Sequence, residues 1–345
     1  MSARRVPLLS FVIPTHNRAA DLRVTLGMLG SLGFDHQTAE VVVVDNASEE
    51  PVEPECALPT TLVRSSTNLG AAGRNLGAEA ARGGWIVMLD DDSSPLGASG
   101  LLDAVSDAPS DVAAVMADIH LSGGRGRERG GLPEVFIGCG VAIRRDAFVR
   151  TGGYDPSFHY YAEEYDLAAR LIMRGWRTAF DPRFIVEHRK VASGRRMDLI
   201  LGRLVRNNGW VMQRYAPDAV RRLVLREERG RYRAIAAKES ATHGFGAGLR
   251  ELRRSIRGQH RTPMSEPQFD RFTGMTHART ALSGAIRPGQ RVAIVDRGKN
   301  AGLIERALCE LGAVVVESSK SADAVVPGSM SPGPMIDSAM AWQQR

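Results

Sequence analysis

The sequence predicts an α/β protein built on a mixed, mainly parallel sheet, and three observations carry that expectation. Short apolar runs alternate with stretches of helical apolar spacing through residues 1–95, the pattern of strand–helix–strand units. Polar residues gather at the carboxyl end of each apolar run, where open α/β sheets bind their ligands. One run, Gly83 to Leu89, ends abruptly in Asp90, Asp91 and Asp92.

Leu8–Pro14 reads as a buried strand stopped by its proline, and Thr15-His16-Asn17-Arg18 follows it. Residues 19–32 read as a helix because Leu22, Leu26, Leu29 and Leu32 recur at helical spacing. Glu40–Val44 is the next strand and ends at Asp45-Asn46-Ala47-Ser48. Residues 49–59, rich in Pro and Glu, form a loop, and Thr61–Ser65 a third strand. A Gly-rich turn, Asn68-Leu69-Gly70-Ala71-Ala72-Gly73-Arg74-Asn75, opens a helix to about Arg82. The fourth strand then leads to the three aspartates. Adjacent like charges repel and are costly to bury. An acidic loop capping the next helix and a divalent-cation site both account for them, and a cation with oxygen ligands could also hold a diphosphate.

Further along, residues 103–108 read as helix, Val112–Ile119 as strand, and Ser122–Leu132, a Gly/Arg run, as a mobile loop. Phe136–Ile143 reads as one strand whose Gly138 and Gly140 permit close backbone approach. Residues 146–151 form a short helix. A helix opening near Glu163-Glu164 and ending at Gly175-Trp176 follows Phe158-His159-Tyr160-Tyr161. Its first-turn carboxylates suit the positive helix end and equally suit a catalytic base. Residues 177–186 have a strand-like end before Glu187-His188-Arg189. By itself His188 fits a structural histidine as well as a ligand.

The Pro14–Arg18 stretch, Val44-Asp45-Asn46-Ala47-Ser48, Asn68-Leu69-Gly70 with Arg74-Asn75, and Leu89-Asp90-Asp91-Asp92 together resemble the family-2 glycosyltransferases, in that family's order and spacing. The resemblance spans residues 8 to about 215. It implies a GT-A type, Rossmann-like sandwich and an inverting, metal-dependent transfer of a sugar from a UDP- or dTDP-sugar to a hydroxyl acceptor by single displacement. It implies that Thr15, Asn17, Arg18, Asp45, Asn68, Gly70, Arg74 and Asp90 face the nucleotide. Asp90, Asp92 and His188, which lies 24 residues past Glu164, would hold Mn2+ or Mg2+. Glu164 would be the base, with Glu163 as competitor. Asp91, Gly138, Cys139, Gly140, His159, Tyr160, Tyr161 and Trp176 would border donor sugar and acceptor. The GxGxxG of dinucleotide-binding enzymes is missing after the first strand. So is the Gly-rich, Lys/Arg-bearing loop of sugar-phosphate nucleotidyltransferases, the enzymatic alternative.

Residues 1–215 are therefore read as a catalytic domain, with a nucleotide-sugar half (1–95) and an acceptor half (96–215). Residues 216–264 continue a basic amphipathic helical segment that begins near Met197. Between Arg195 and Arg261 stand 17 Lys or Arg against 6 Asp or Glu, a net of +11 in a chain of net +6. Such a surface suits anionic lipid, a phosphate-bearing acceptor or nucleic acid. Nucleic acid is disfavoured, because only Trp210, Tyr215, Tyr232 and Phe245 are there to stack bases. Beyond the Pro-containing linker 261–268, residues 265–345 read as a small α/β unit: a helix at 269–286, strands at 290–296, 313–317 and 322–326, and a helix at 301–311. Packing or homodimerisation is the expected role for that unit. At 43% hydrophobic and 24% charged residues the composition is that of an ordinary globular chain. No apolar run approaches the roughly 20 residues of a membrane span, and the N-terminus carries no signal-peptide pattern. Three scattered cysteines, Cys56, Cys139 and Cys309, predict a reducing, cytoplasmic setting. The basic segment adds a peripheral place at the inner membrane face.

Overall fold

A computed structural model describes residues 7–190 and 196–344. Strand β1 (Leu9–Thr15) is buried along nearly its whole length. It pairs in parallel with β2 (Ala39–Asp45), in register from Leu9 opposite Ala39 to Thr15 opposite Asp45. β3 (Thr60–Arg64) lies outside β2, and β4 (Trp85–Met88) pairs in parallel with the other side of β1. Helix α1 (Ala19–Ser31) buries Leu22, Leu26 and Leu29 against the sheet, as their spacing predicts. Helix α2 (Gly73–Ala80) covers the other face. Because β1 to β4 are mutually parallel, Thr15, Asp45 and the aspartates after β4 emerge at one edge. The chain turns from β2 and β3 on one side of β1 to β4 on the other, a topological switch point of the kind that opens a ligand crevice.

The second half of the sheet is mixed. β5 (Ser93–Pro95), α3 (Ala98–Ser106), β6 (Val112–Leu121), β7 (Val141–Arg144), α4 (Arg145–Thr151), α5 (Glu163–Met173) and β8 (Arg177–His188) complete the order β3-β2-β1-β4-β7-β6-β8-β5. β7 runs antiparallel to β4 and β6, β8 parallel to β6, and β5 antiparallel to β8. The strand expected over 136–143 is confined to Val141–Arg144. Gly138 and Cys139 leave the ladder instead, and the Gly138 N–H turns toward Glu164 at the start of α5.

Three helices follow: α6 (Met197–Tyr215), α7 (Asp218–Lys238) and α8 (Thr242–Ser255), with α6 and α8 packed along each other. The single helix expected at 269–286 is two, α9 (Glu266–Thr273) and α10 (Met275–Ser283), broken at the left-handed Gly274 with φ 91°. The last unit adds β9 (Arg291–Val295), α11 (Ala301–Glu310), β10 (Val314–Val316), β11 (Ala324–Pro327) and α12 (Pro332–Gln343) around a parallel sheet ordered β10-β9-β11. This unit has its own sheet but not a core of its own. One buried cluster runs from Ala168 and Ile172 of α5 and Trp210 and Tyr215 of α6 into Phe269, Phe272, Val292, Ile304 and Leu308. Arg271 of α9 also pairs with Glu134 and donates to the Trp176 carbonyl at 2.8 Å.

Candidate active site

At the outer part of the edge, the polar residues first shape their own loops. Asn17 is left-handed (φ 56°), and its side-chain oxygen accepts from the Glu49 N–H at 2.8 Å. Asp45 is buried and accepts from the Ser48 N–H at 2.9 Å. Asn68 accepts from the Gly70 N–H at 2.9 Å, closing an Asx turn. Asn46 staples that turn to β2: its amide donates to the Gly70 carbonyl at 2.9 Å and its oxygen accepts from the Leu69 N–H at 2.9 Å. Gly70 has φ 64°, and a Cβ there would stand 2.2 Å from the His159 carbonyl oxygen. Only glycine lets the 68–70 turn meet the 159 turn, which is locked by the Ala71 N–H donating to that same oxygen at 2.7 Å.

The three aspartates divide their roles. Asp90, the most exposed, is ion-paired with buried Arg74. Asp91 is buried; its carboxylate accepts from the Thr15 hydroxyl at 2.9 Å and pairs with Arg18 at 2.8 Å, and its carbonyl accepts from Thr25 at 2.7 Å. Burial raises its carboxyl to about 7 against the pull of Arg18. Asp91 thus braces the turn between β4 and β5. Asp92, also buried, pairs with Arg18 at 2.9 Å and meets His188 Nε2 at 3.3 Å. Burial works against its charge, but His188 and Arg18 outweigh it and hold Asp92 well below the usual carboxylate range. The acidic cluster is therefore balanced within the chain by Arg18, Arg74 and His188.

His188 reaches Asp92 because the β5–β8 pairing sets Ser93 opposite His188. Its other nitrogen, Nδ1, stands 2.9 Å from Glu128 and 3.6 Å from the Cys139 sulfur. Burial disfavours the imidazolium, yet hydrogen bonds to Asp92, Cys139 and Glu128 raise His188 to about 12. Asp90, Cys139 and His188 each place a donor atom within 4.8 Å of the others. Adjacent ligands of a six-coordinate ion with bonds of about 2.1 Å lie about 3 Å apart, so the 3.3 Å between Asp92 and His188 Nε2 fits one shared ion. Carboxylate and imidazole donors suit Mn2+, and carboxylate with water suits Mg2+. The Cys139 thiol, pushed up to about 11 by burial, is a neutral neighbour. Glu128 was not among the residues singled out by sequence. The only signal for it was its being the one acidic residue in an otherwise Gly/Arg run.

The other wall is the loop before α5. His159, Tyr161 and Ala162 all have positive φ (62°, 74° and 67°), backbone strain that persists only where surroundings enforce it. Fully buried Asn207 of α6 enforces it: its amide lies 3.1, 2.9 and 2.7 Å from the carbonyls of Phe158, Tyr160 and Tyr161. The His159 and Tyr160 rings stand edge to face at 4.7 Å, and Arg203 lies 5.7 Å from the Tyr160 ring centre. The helix begins directly after, at Glu163 and Glu164. Glu163 is buried, and its Oε2 has no hydrogen-bond partner among the described residues. Glu164 is half-buried and accepts from the Gly138 N–H at 3.3 Å. The Gly138 carbonyl lies 3.5 Å from Arg74, so Glu164, Gly138, Arg74 and Asp90 form one connected chain. Burial raises both glutamates, and the charge of Glu164 raises Glu163 further. Gly140 bonds the Ala117 N–H to its carbonyl at 3.0 Å and so belongs to the sheet edge. Trp176 lies past the other end of α5, packed against the cluster of Val141, Ile143 and Leu171. The site does not gather it. Lys299, from the last unit, contacts the Tyr165 hydroxyl and lies 4.5 Å from that ring's centre.

Residues 10–164 match the family model described as glycosyl transferase family 2. A curated relative, an uncharacterized glycosyltransferase of Haemophilus influenzae, is 40% identical over 91 residues, 25% of this chain and 29% of the relative. Three solved structures share the fold. The mannosyltransferase PcManGT from Pyrobaculum calidifontis, in complex with GDP-Man and Mn2+, has a TM-score of 0.50 at 19% identity, over 80% of this chain and 81% of its own. S. aureus TarS 1-349, in complex with UDP-GlcNAc, has a TM-score of 0.50 at 15% identity, over 73% and 83% of the two chains. GalNAc-T7, with UDP, GalNAc and Mn2+, has a TM-score of 0.50 at 16% identity, over 75% and 59%. The mixed sheet with its acidic edge is the GT-A glycosyltransferase fold.

Proposed function

We propose that this chain, whose residues 10–164 match glycosyl transferase family 2, transfers a sugar from a nucleotide diphosphate sugar to a hydroxyl acceptor with inversion at the anomeric carbon. The observation that carries this reading is the convergence on one edge of Asp90, Asp92 and His188, with Glu164 joined to them through Gly138 and Arg74. Asp92 and His188, with Asp90 beside them, would hold a divalent ion. That ion, when bound, supplies Lewis-acid stabilisation to the leaving diphosphate.

The chain's own groups do the rest. Arg18 and Arg74 place fixed cations along the diphosphate path, where charge grows as the bond between the anomeric carbon and phosphate oxygen breaks. Thr15, Asn17, Asp45, Asn68 and Gly70 form the loops that receive the nucleotide. The raised Glu164 carboxylate takes the proton from the acceptor hydroxyl as its oxygen bonds the anomeric carbon. Glu164 is preferred to Glu163 because it is the more exposed of the pair. Attack from the face opposite the leaving group gives inversion. His159, Tyr160 and Tyr161 border the donor sugar and acceptor. UDP- and dTDP-sugars are the donors this reading favours. GDP-sugars belong in the same screen, because GDP-Man accompanies one of the solved relatives in fold.

The basic helices support a peripheral membrane acceptor. Arg222, Arg226, Arg229 and Arg253, with Glu228, line a cavity of about 280 Å3 together with the apolar Val205, Leu225, Leu249 and Leu252, an apolar slot whose charged lining is net cationic. No helix among the described residues is long and apolar enough to cross a membrane. The transfer reading is tested by incubating the protein with nucleotide sugars and Mn2+ and reading nucleoside diphosphate release with each acceptor class. Release that is unchanged in Asp92→Asn and Glu164→Gln would overturn it.

A further inference from the structure

We propose that Glu128 is a positioning residue for His188, and that the C-terminal unit holds Glu128 in place. The inference rests on the reading that Asp92 and His188 share a divalent ion. An imidazole that gives one nitrogen to a metal commonly donates its other N–H to a carboxylate, which fixes the tautomer and the ring plane. Glu128 stands in that relation: its Oε2 lies 2.9 Å from His188 Nδ1, while His188 Nε2 faces Asp92. Both side chains are 12% exposed. Lys190 anchors the carboxylate from the far side, at 2.9 Å from Oε1.

Glu128 sits on a Gly/Arg stretch that would wander if left to itself. Its N–H donates to the Ile119 carbonyl at 2.9 Å. The preceding residue, Arg127, is gripped by α12: its backbone N–H and its guanidinium reach the Asp337 carboxylate at 2.9 and 2.7 Å. Arg127 also pairs with buried Asp118 at 2.7 Å. Two residues past Glu128, the Gly130 carbonyl accepts from the Ser331 hydroxyl. Gly333 approaches so closely that a Cβ would meet the Glu128 carbonyl oxygen at 2.5 Å. The last helix and the turn before it thus clamp both sides of Glu128. This gives the C-terminal unit a part in the site.

The test is Mn2+ affinity of the full-length protein, read by the electron-spin signal of free Mn2+ without donor or acceptor. Glu128→Gln is expected to weaken Mn2+ about 10–100-fold, with Glu128→Asp recovering part of the loss. Asp337→Asn should weaken it less, and Asp92→Asn and His188→Ala more. Wild-type affinity in Glu128→Gln, beside a loss in His188→Ala, overturns the proposal and leaves the ion site standing. Wild-type affinity in both Asp92→Asn and His188→Ala instead removes the ion site on which it rests. A measurement on the unaltered chain guards against a variant that fails to fold: nitrogen-15 spectra of labelled histidine with Mg2+ should show His188 protonated at Nδ1 and bare at Nε2. The opposite tautomer overturns the proposal.

Discussion

The two sides of the proposed ion site are built differently. The aspartate side is nearly local. Asp90, Asp91 and Asp92 follow one strand and are held chiefly by Thr15, Arg18, Thr25 and Arg74, all in the first 95 residues, with His188 and Arg189 as the distant partners. The histidine side is assembled from afar. His188 ends β8, is met by Glu128 sixty residues earlier, and that contact is clamped by Asp337, 210 residues beyond Arg127. The contrast shows how an acidic strand edge can arise from a short motif, while the direction of an imidazole depends on the whole chain.

The largest expected effect leaves both sides intact and removes the base. Glu164→Gln should lower transfer about 10²–10⁴-fold while Mn2+-supported nucleotide binding, read by calorimetry, stays at the wild-type level. If Glu163→Gln is the inactive variant, the base is its neighbour. Next come the aspartates. Asp92→Asn should remove most Mn2+ affinity, whereas Asp91→Asn should chiefly lower stability in urea unfolding, since Asp91 serves Thr15 and Arg18. Equal metal loss in both would erase the division of roles drawn between them.

Asn207→Leu takes away the amide that pins the strained 159–162 loop. Leaving those carbonyls without their donor should cost about 1–3 kcal/mol in urea unfolding and raise the apparent KM for acceptor more than for donor. The smallest effect is on pH. Burial raises Glu164 above the ordinary carboxylate range of about 4.3. The base works only deprotonated, so transfer is full above that raised value and falls as pH drops through it. A pH–rate profile of kcat should show that acid limb displaced upward, and a limb at or below the ordinary value would count against Glu164.

The local side was also the legible side. β1, β2 and β4, the buried leucines of α1, and Thr15, Asp45 and Asp90–Asp92 were all readable, because apolar period and strand-end motifs are short-range signals. The histidine side was readable only as a residue at a suggestive spacing. Glu128 lay hidden in a stretch whose composition reads as a loose loop, and Asn207 in a helix whose polar positions carry no mark of the loop they hold. Glycines misled twice: Gly138 to Gly140 shortened an expected strand, and Gly274 broke an expected helix. The linker at 261–268 marks off the C-terminal unit, yet Phe272, Val292 and Ile304 share a buried cluster with α5 and α6, a tertiary fact that no local pattern records.

If Asp92 and His188 hold a divalent ion that receives the nucleotide diphosphate, binding of that diphosphate depends on the ion. Calorimetric titration of UDP, dTDP and GDP into the full-length protein, with Mn2+ and with chelator, tests this directly. The expected result is tight binding of at least one nucleotide with Mn2+, lost on chelation and in His188→Ala. Binding of equal strength with and without the metal would contradict it.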